Sequence, residues 1–587
     1  MYEENSYEVV VGIDFGSSGS GYAYSFMDEH KLYHLDIEGV DVDKKIPTEI
    51  ILDDKNNVLQ FGYKCKQYLK EKGIEAGHYF KDIKMHLYKK ESTIKSSNSD
   101  KSLPLKIVIQ KVLEKLRDIC LDQIMKSWKD IEESCVKWVV TVPAIWGDSQ
   151  KGIMMDACID AGLVNQTDDK SLFFALEPEA ASLYCYKDDS LKNNIIKKGD
   201  YYIICDLGGG TGDIVTHLVG NNNSLEEIEP SCGGNYGSNE IDKKIFDTII
   251  YQLFGYKDYP SLLKKYRTLD LEEKDESVLF ESWCILEKDI KEFKEGVNIN
   301  KINEKGKYPI CCDVFQDFNE NIDLKDLIDK YNNSLNDSNL KLEIKSKKKY
   351  IILFPYKILD NYIEEQSKLI CKEIKNIISK AKKKTSVAIN KLVFVGGYCS
   401  NEVLISKIKN DLTEYIELFI KPSNHYLAIM DGAVLFGLNP NIIDIRIAKY
   451  TIGMQTRSLW NEEKHSKNGK KVFDEDNKVW RCEKCFAKFI EVNQELKNGE
   501  EIPPKTFSMV SPRTCTLHFY KSLKPNPIFT FEKGVEKMVE CELDAGKDYP
   551  LGERDFKVYM KLNGTFIDIK AVHEKSGKFC KVNLKFE

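Results

Sequence analysis

EVVVGIDFGSSGSGYAYSF, residues 8–26, opens on an apolar run ending in Asp14, turns through Gly and Ser, and leaves on an alternating second run. That order predicts a β-hairpin, because Gly and Ser tolerate the tight turn and both flanks have strand character. YYIICDLGGGTGDIVTHLV, residues 201–219, repeats the pattern with Asp206 in the place of Asp14. One supersecondary unit is therefore duplicated. Copies so far apart predict two similar α/β lobes facing each other across a cleft.

The segments around the hairpins are consistent with this. KWVVTVPAIW (137–146) reads as a buried strand followed by an amphipathic helix ending near Gly162. SLFFALEPEAASLYCY (171–186) is a short strand running into Glu177-Pro178 and an Ala-rich helix, and Pro is tolerated in a first helical turn. Residues 240–296 read as mostly helical, 299–356 as an insertion with short strands, and 355–384 as a long amphipathic helix. KLVFVGGYCSNEVLISKIK (391–409) gives a strand, a Gly-Gly turn and a helix, and AIMDGAVLFGL (428–438) a small-residue helix suited to close packing. After Pro440 the chain changes to short strands between Gly, Pro and Asn turns, which predicts an all-β segment and a domain boundary near 440.

A chain of 587 residues exceeds one hydrophobic core, so two to four domains are expected. Its 42% hydrophobic and 30% charged residues exclude a disordered chain. With 86 basic against 93 acidic residues, net −7, neither general nucleic-acid nor membrane affinity is expected. No apolar run approaches the roughly 18–20 residues of a membrane span. The acidic N-terminus MYEENSYEVV has neither a secretory nor a transit pattern, so a cytoplasmic location is expected. The 17 Cys then read as thiols, including the CxxC of Cys482 and Cys485. A zinc site asks for a second pair or two nearby His, and neither stands at the usual spacing. His217 reads as a structural histidine, and Trp138, Trp146 and Trp283 as core.

Two Gly-rich turns, each beside an Asp, suit a nucleoside triphosphate with its metal. Backbone N–H groups at Gly16, Ser17, Ser18 and Gly19, and at Gly208, Gly209, Gly210 and Thr211, can approach phosphate oxygens without side-chain bulk. Mg²⁺ prefers oxygen ligands and retains water, so Asp14 and Asp206 suit it mainly through water. Glu177, at a strand end, is placed to orient an attacking water. A single Gly-rich turn would indicate turn geometry only. The duplicated pair, with the third turn at Gly396-Gly397, carries the phosphate reading.

DFGSSGSGYA, VVTVPAIWGDSQK, ALEPEAASLY, ICDLGGGTGD, VFVGGYCSNEVL and DGAVLFGL resemble, in order across residues 8–438, the signature blocks of the actin-like ATPase superfamily in its heat shock 70 kDa protein version. FGYKCKQYL, FKDIKMHLYK, GGNYGSNEID and VWRCEKCFAKFIEVNQELKNGE are similar to the divergent 12A/12B branch of that family, over nearly the whole chain. The resemblance implies an α/β, two-lobed actin-like ATPase fold with duplicated ribonuclease-H-like lobes. Residues 1–440 would form it, with lobe I at about 1–200 and 395–440 and lobe II at about 201–394. Residues 441–587 would be a smaller β-rich domain, like a shortened substrate domain without a helical lid. ATP or ADP with Mg²⁺ would be the cofactors.

By the same resemblance Asp14 and Asp206 match the metal-water aspartates and Glu177 the carboxylate near the attacking water. Ser17 stands where the commoner pattern has Thr. Thr211 and Asp213 match the residues after the second phosphate turn, and Gly237 lies in a matching block. Gly396, Gly397 and Tyr398 match the adenosine loop, while Glu287, Lys288 and Lys291 approximate the base- and ribose-contacting helix. The catalytic lysine falls in a loosely aligned segment and is assigned to Lys84, with Lys81 as the alternative. Ser400 replaces an Arg that packs on adenine in the family, and Tyr426 replaces an acidic residue. The sequence ends at KVNLKFE without an acidic EEVD-type tail, so tail-binding co-chaperones are not expected.

Three functions are compatible with these readings: an ATP-hydrolysing chaperone-like protein with a polypeptide client on the β domain, a nucleotide-gated scaffold or sensor with little turnover, or a small-molecule kinase. The β-rich tail has no evident kinase role. Ile442, Ile443, Ile445 and Ile447 predict a strand linking the two parts, either switching with nucleotide or permanently docked with Asp444 and Arg446 facing solvent.

Overall fold

The computed structural model describes residues 7–29, 31–35, 44–129, 131–164, 171–187, 196–221, 224–269, 275–295, 306–318, 323–346, 348–385, 388–564 and 566–585. Val9–Asp14 pairs antiparallel with Gly19–Phe26, placing Asp14 opposite Gly21. On its other edge it runs parallel to Val136–Val142, which runs parallel to Leu172–Leu176. The second hairpin repeats this arrangement. Tyr201–Leu207 pairs antiparallel with Gly212–Val219, with Asp206 opposite Asp213, and runs parallel to Lys391–Val395, which runs parallel to Leu418–Ile420. The duplicated sequence thus gives the same pairing order twice, in two mixed α/β sheets. Val9–Asp14 is buried along its whole length, as expected for a strand covered on both faces.

Where the chain returns to the first sheet differs from the expected position near 395. Leu418–Ile420 still extends the second sheet. The helix Ala428–Leu438 is the element that crosses over, lying on Val9–Asp14 and on the helix Glu177–Lys187. Close approach requires small residues there: a Cβ at Gly432 would stand 1.7 Å from the Ala180 carbonyl oxygen. The helix expected over 355–384 spans Tyr356–Thr385, and the insertion contains a three-stranded sheet of Lys307–Cys311, Ile351–Pro355 and Glu343–Ser346.

Beyond Pro440 two antiparallel sheets stack. One holds Thr451–Leu459, Val479–Ile490, Thr514–Ser522 and Val535–Asp544, with Lys470–Asp474 at its edge. The other holds Glu501–Ser508, Asp555–Asn563, Phe566–His573 and Phe579–Lys585. Met454, Phe519, Leu543, Val558, Met560 and Ile569 belong to one shared apolar core. The segment is not all-β, since Glu462–His465 forms one helical turn capped by the Asn461 side chain. Nor is it separate from the preceding sheets. Ile443–Ile447 pairs parallel with Leu225–Glu227 and antiparallel with Glu495–Lys497, so both enter the second sheet.

Candidate functional site

The two hairpins bring their acidic residues to one place. Asp14 ends its strand, Asp206 lies near the end of the equivalent strand, and Asp213 is the second residue of the strand after the second turn. Glu177 is the first residue of its helix, directly after Leu172–Leu176. Lys84 comes from the short helix Ile83–Tyr88. All five are buried.

Lys84 donates to Glu177 Oε1, and its ammonium stands 5.7 Å from the centre of the Trp146 ring. Lys45 Nζ lies 2.6 Å from Asp14 Oδ2, and Thr141 Oγ1 3.4 Å from Asp14 Oδ1. Trp146 is core, as its sequence neighbours indicated, yet it also lines the lysine's pocket. Lys45 was not legible as a site residue, because KKIPTE carries no motif.

Four carboxylates here face three ammonium groups, those of Lys45, Lys84 and, for Asp213, Lys449, and burial makes their charges costly. Burial pushes the Glu177 carboxyl up to about 7, against the pull of Lys84 and helped by Asp14 and Asp213. Burial likewise lifts Asp213 to about 6, and burial plus the neighbouring carboxylates lift Asp206 well above its usual range. Burial also works against the Asp14 charge, but Lys45 and Lys84 outweigh it and hold that carboxyl low. Asp206 Oδ1 is buried with no hydrogen-bond partner. An excess of buried carboxylate with an unpartnered oxygen fits a hard divalent cation such as Mg²⁺, with Asp14 and Asp206 as the groups to hold it.

The turns meet at this cluster. A Cβ at Gly209 would lie 2.2 Å from Ser18 Oγ, and one at Gly210 2.5 Å from Ser17 Oγ. A Cβ at Gly237 would lie 2.3 Å from the Gly209 carbonyl oxygen. Gly396, at φ +87°, passes so close that a Cβ would stand 2.5 Å from Asp206 Oδ1. The first turn is braced by Thr48, which donates to the Gly16 carbonyl at 2.8 Å and bonds Ser20 Oγ. Gly208 donates its N–H to the Thr211 carbonyl at 3.0 Å, and Thr211 is itself buried. Gly19 flanks the backbone of Ile46.

The residues expected around a base are placed less uniformly. Glu287 is bonded by Lys81 at 2.6 Å and by Trp283 Nε1 at 2.9 Å, so Lys81 serves this pair while Lys84 serves Glu177. Lys288 and Lys291 are exposed and face Glu292 and Glu295 one turn on. Gly397 is open, Tyr398 turns inward with its hydroxyl on Gln366, and Ser400 and Tyr426 are exposed. His217 is buried with Nδ1 on Ser182 Oγ, a structural arrangement.

The solvent-facing alternative for Arg446 does not hold. Its guanidinium is buried and bonded to both oxygens of Glu179, two residues from Glu177. The neighbouring Ile447 N–H donates to Glu227 Oε2 at 2.8 Å.

The family profile described as Hsp70 protein matches residues 50–274, from the strand Ile50–Leu52 past the second turn. Human heat shock 70 kDa protein 12A is 26% identical over 656 aligned residues, covering 100% of this chain and 92% of that protein. Human heat shock 70 kDa protein 12B is 24% identical with the same coverage. The chain is thus similar to the heat shock 70 kDa proteins, and along its whole length to their 12A and 12B forms. The HscA chaperone homolog of Rickettsia peacockii is 27% identical over 247 residues, 40% of this Hsp70-like chain and 36% of its own. Similarity therefore runs along the whole length to 12A and 12B, and over a part to HscA. Among the described residues, no helix is long and apolar enough to cross a membrane.

Proposed function

We propose that the chain binds ATP with Mg²⁺ where its two Gly-rich turns meet, and hydrolyses it slowly, as a chaperone-like protein of the Hsp70 type. The buried cluster of Asp14, Lys84, Glu177 and Asp206 between the turns carries this reading. The turns' N–H groups would receive the phosphates, and Asp14 and Asp206 would hold the metal, mainly through water. Bound Mg²⁺ would supply charge for the phosphate oxygens. Glu177, with a carboxyl poised near neutrality beside Lys84, would orient the attacking water and hold its proton.

Residues 1–440 would then be a two-lobed actin-like unit, and the pairing of Leu418–Ile420 with Lys391–Val395 supports a second lobe reaching to about 427. Residues 441–587 would be the β-rich unit that reads the nucleotide state and meets a polypeptide client, in the cytoplasm. Exposed Phe473, Trp480 and Phe531 offer that unit apolar contact.

A second reading, a nucleotide-gated scaffold with little turnover, is favoured by Lys45, whose ammonium already neutralises Asp14 at 2.6 Å. Steady-state phosphate release by the purified chain, with and without unfolded polypeptide, separates the two. Release abolished by Glu177→Gln, with ATP binding retained, is expected of the hydrolase. Tight binding without release in the unaltered protein would favour the scaffold. No binding, with or without Mg²⁺, overturns both.

A further inference from the structure

Away from the nucleotide site, the C-terminal β unit gathers His465, Cys482 and Cys485, all buried, with one ligand atom of each within 4.8 Å of the others. Their sequence positions conceal this. Two residues three apart in a regular strand point to opposite faces, because side chains alternate with period two. Here Thr456 lies opposite Cys485 and Ser458 opposite Cys482, so the Val479–Ile490 strand carries one extra residue across that interval. The bulge restores both sulfurs to one face. Lys484, inside the bulge, holds φ +55°, a conformation usually left to Gly or Asn. The fold thus keeps a strained backbone at the one place that turns the CxxC inward.

The third group comes from the helical turn Glu462–His465, on the same side. His465 Nε2 stands 3.9 Å from Cys485 Sγ. Trp460 and Phe529 wall the histidine, their rings 5.6 and 6.0 Å from it. A Cβ at Gly469 would stand 2.7 Å from Cys482 Sγ, so nothing larger than glycine fits beside that sulfur.

We propose that His465, Cys482 and Cys485 form a zinc site. Zinc bonds of about 2.3 Å to sulfur and about 2.0 Å to nitrogen set tetrahedral edges of roughly 3.6 Å. The His465–Cys485 edge needs to close by a few tenths of an ångström, and no edge by more than about 1.2 Å. Binding deprotonates the two thiols and releases both protons to solvent. The Asn461 N–H now donates to His465 Nδ1 at 3.0 Å, which places the neutral ring's proton on Nε2. Ligation moves that proton to Nδ1, so one backbone hydrogen bond is exchanged for a metal bond. Three protein ligands leave the fourth position for water or an incoming ligand. The CxxC alone pointed to thiols, because the histidine it needs lies outside the usual spacing and comes from a turn that an all-β reading does not contain.

The full-length chain, purified under reducing conditions without chelator, should contain about one zinc by mass-spectrometric metal analysis. Titrating the metal-stripped chain with Co²⁺ should give thiolate charge-transfer and tetrahedral ligand-field bands that Zn²⁺ bleaches. Cys482→Ser with Cys485→Ser should remove both signals, and His465→Phe should weaken Co²⁺ binding at least about tenfold. Should the variants misfold, alkylation mapping of the unaltered chain decides. Zn²⁺ must protect Cys482 and Cys485 selectively over the remaining thiols. Absence of zinc and of the cobalt bands, unprotected thiols, or a Cys482–Cys485 disulfide in the reduced preparation each overturns the site.

Discussion

Arg446 and Glu179 form a buried two-point ion pair: Nη2 lies 2.8 Å from Oε2 while Nη1 bonds Oε1. The pair joins the strand after Pro440 to the helix that begins with Glu177. Removing one partner of a buried pair leaves an uncompensated charge, which costs about 3–5 kcal/mol. Arg446→Met should destabilise the chain by that order in denaturant unfolding, and Arg446→Met with Glu179→Leu should recover most of it. A single variant no less stable than the double would show the pair is not what holds this strand.

Because Ile443–Ile447 is hydrogen-bonded on both edges, trypsin should not cut after Arg446 or Lys449 in the native chain. The same protection is expected with ATP, with ADP and without nucleotide. Any effect on the β unit would then pass through a fixed strand. Cleavage confined to one nucleotide state would instead mean that the strand is released.

Stability should fall with rising pH. Burial lifts the Glu177 and Glu227 carboxyls from 4.5 to about 7 and Asp213 from 3.8 to about 6. Groups with raised values bind protons more tightly in the folded chain. Their contribution is complete below the unfolded value near 4.5 and is lost as pH climbs through about 7. Calorimetric Tm of the nucleotide-free protein should therefore drop between about pH 5 and pH 8. Glu177→Gln should flatten part of that slope, and a Tm rising across the range contradicts the assignment.

Lys45→Ala should strengthen metal binding. With the ammonium gone from Asp14, Mg²⁺ gains a free carboxylate oxygen. The half-saturating Mg²⁺ for nucleotide binding should fall by about tenfold, or about 1.4 kcal/mol. Unchanged Mg²⁺ dependence in calorimetry would place Lys45 outside the site.

Base selectivity should be modest. Ser400 is exposed and cannot stack, and a stacked arginine contributes roughly 0.5–2 kcal/mol when desolvated. ATP and GTP should compete within about tenfold. A thousandfold preference for ATP would require another residue to rebuild the base pocket.

The duplicated hairpins were legible because their information is local: an apolar strand, an Asp, a Gly turn and an alternating strand lie within twenty residues. Glu177 was legible for the same reason. Lys84 needed the resemblance, since nothing beside it in sequence points to Glu177. Lys45 was illegible because it reaches Asp14 only when Ile46–Pro47 pairs with Gly19–Phe26. Arg446 misled for a related reason. A charged residue in an alternating strand normally marks the solvent face, and its counter-charge is hundreds of residues away. The zinc candidate escaped because one bulged residue inverts the facing on which strand patterns rely.

The strand Ile443–Ile447 also bears on how the chain can be divided. It extends a sheet whose hairpin strands precede it by more than two hundred residues. A chain cut after Pro440 would present Leu225–Glu227 as a bare edge, with Glu179 an unneutralised charge beneath it and Glu227 missing its amide partner. Such a fragment invites strand exchange between copies, each lending its edge to another. A synthetic peptide covering residues 441–450 would act as a donor strand and return the fragment to a monomer. The ATPase-like half, though its motifs end before Pro440, is complete as a fold only with a strand borrowed from the β-rich half.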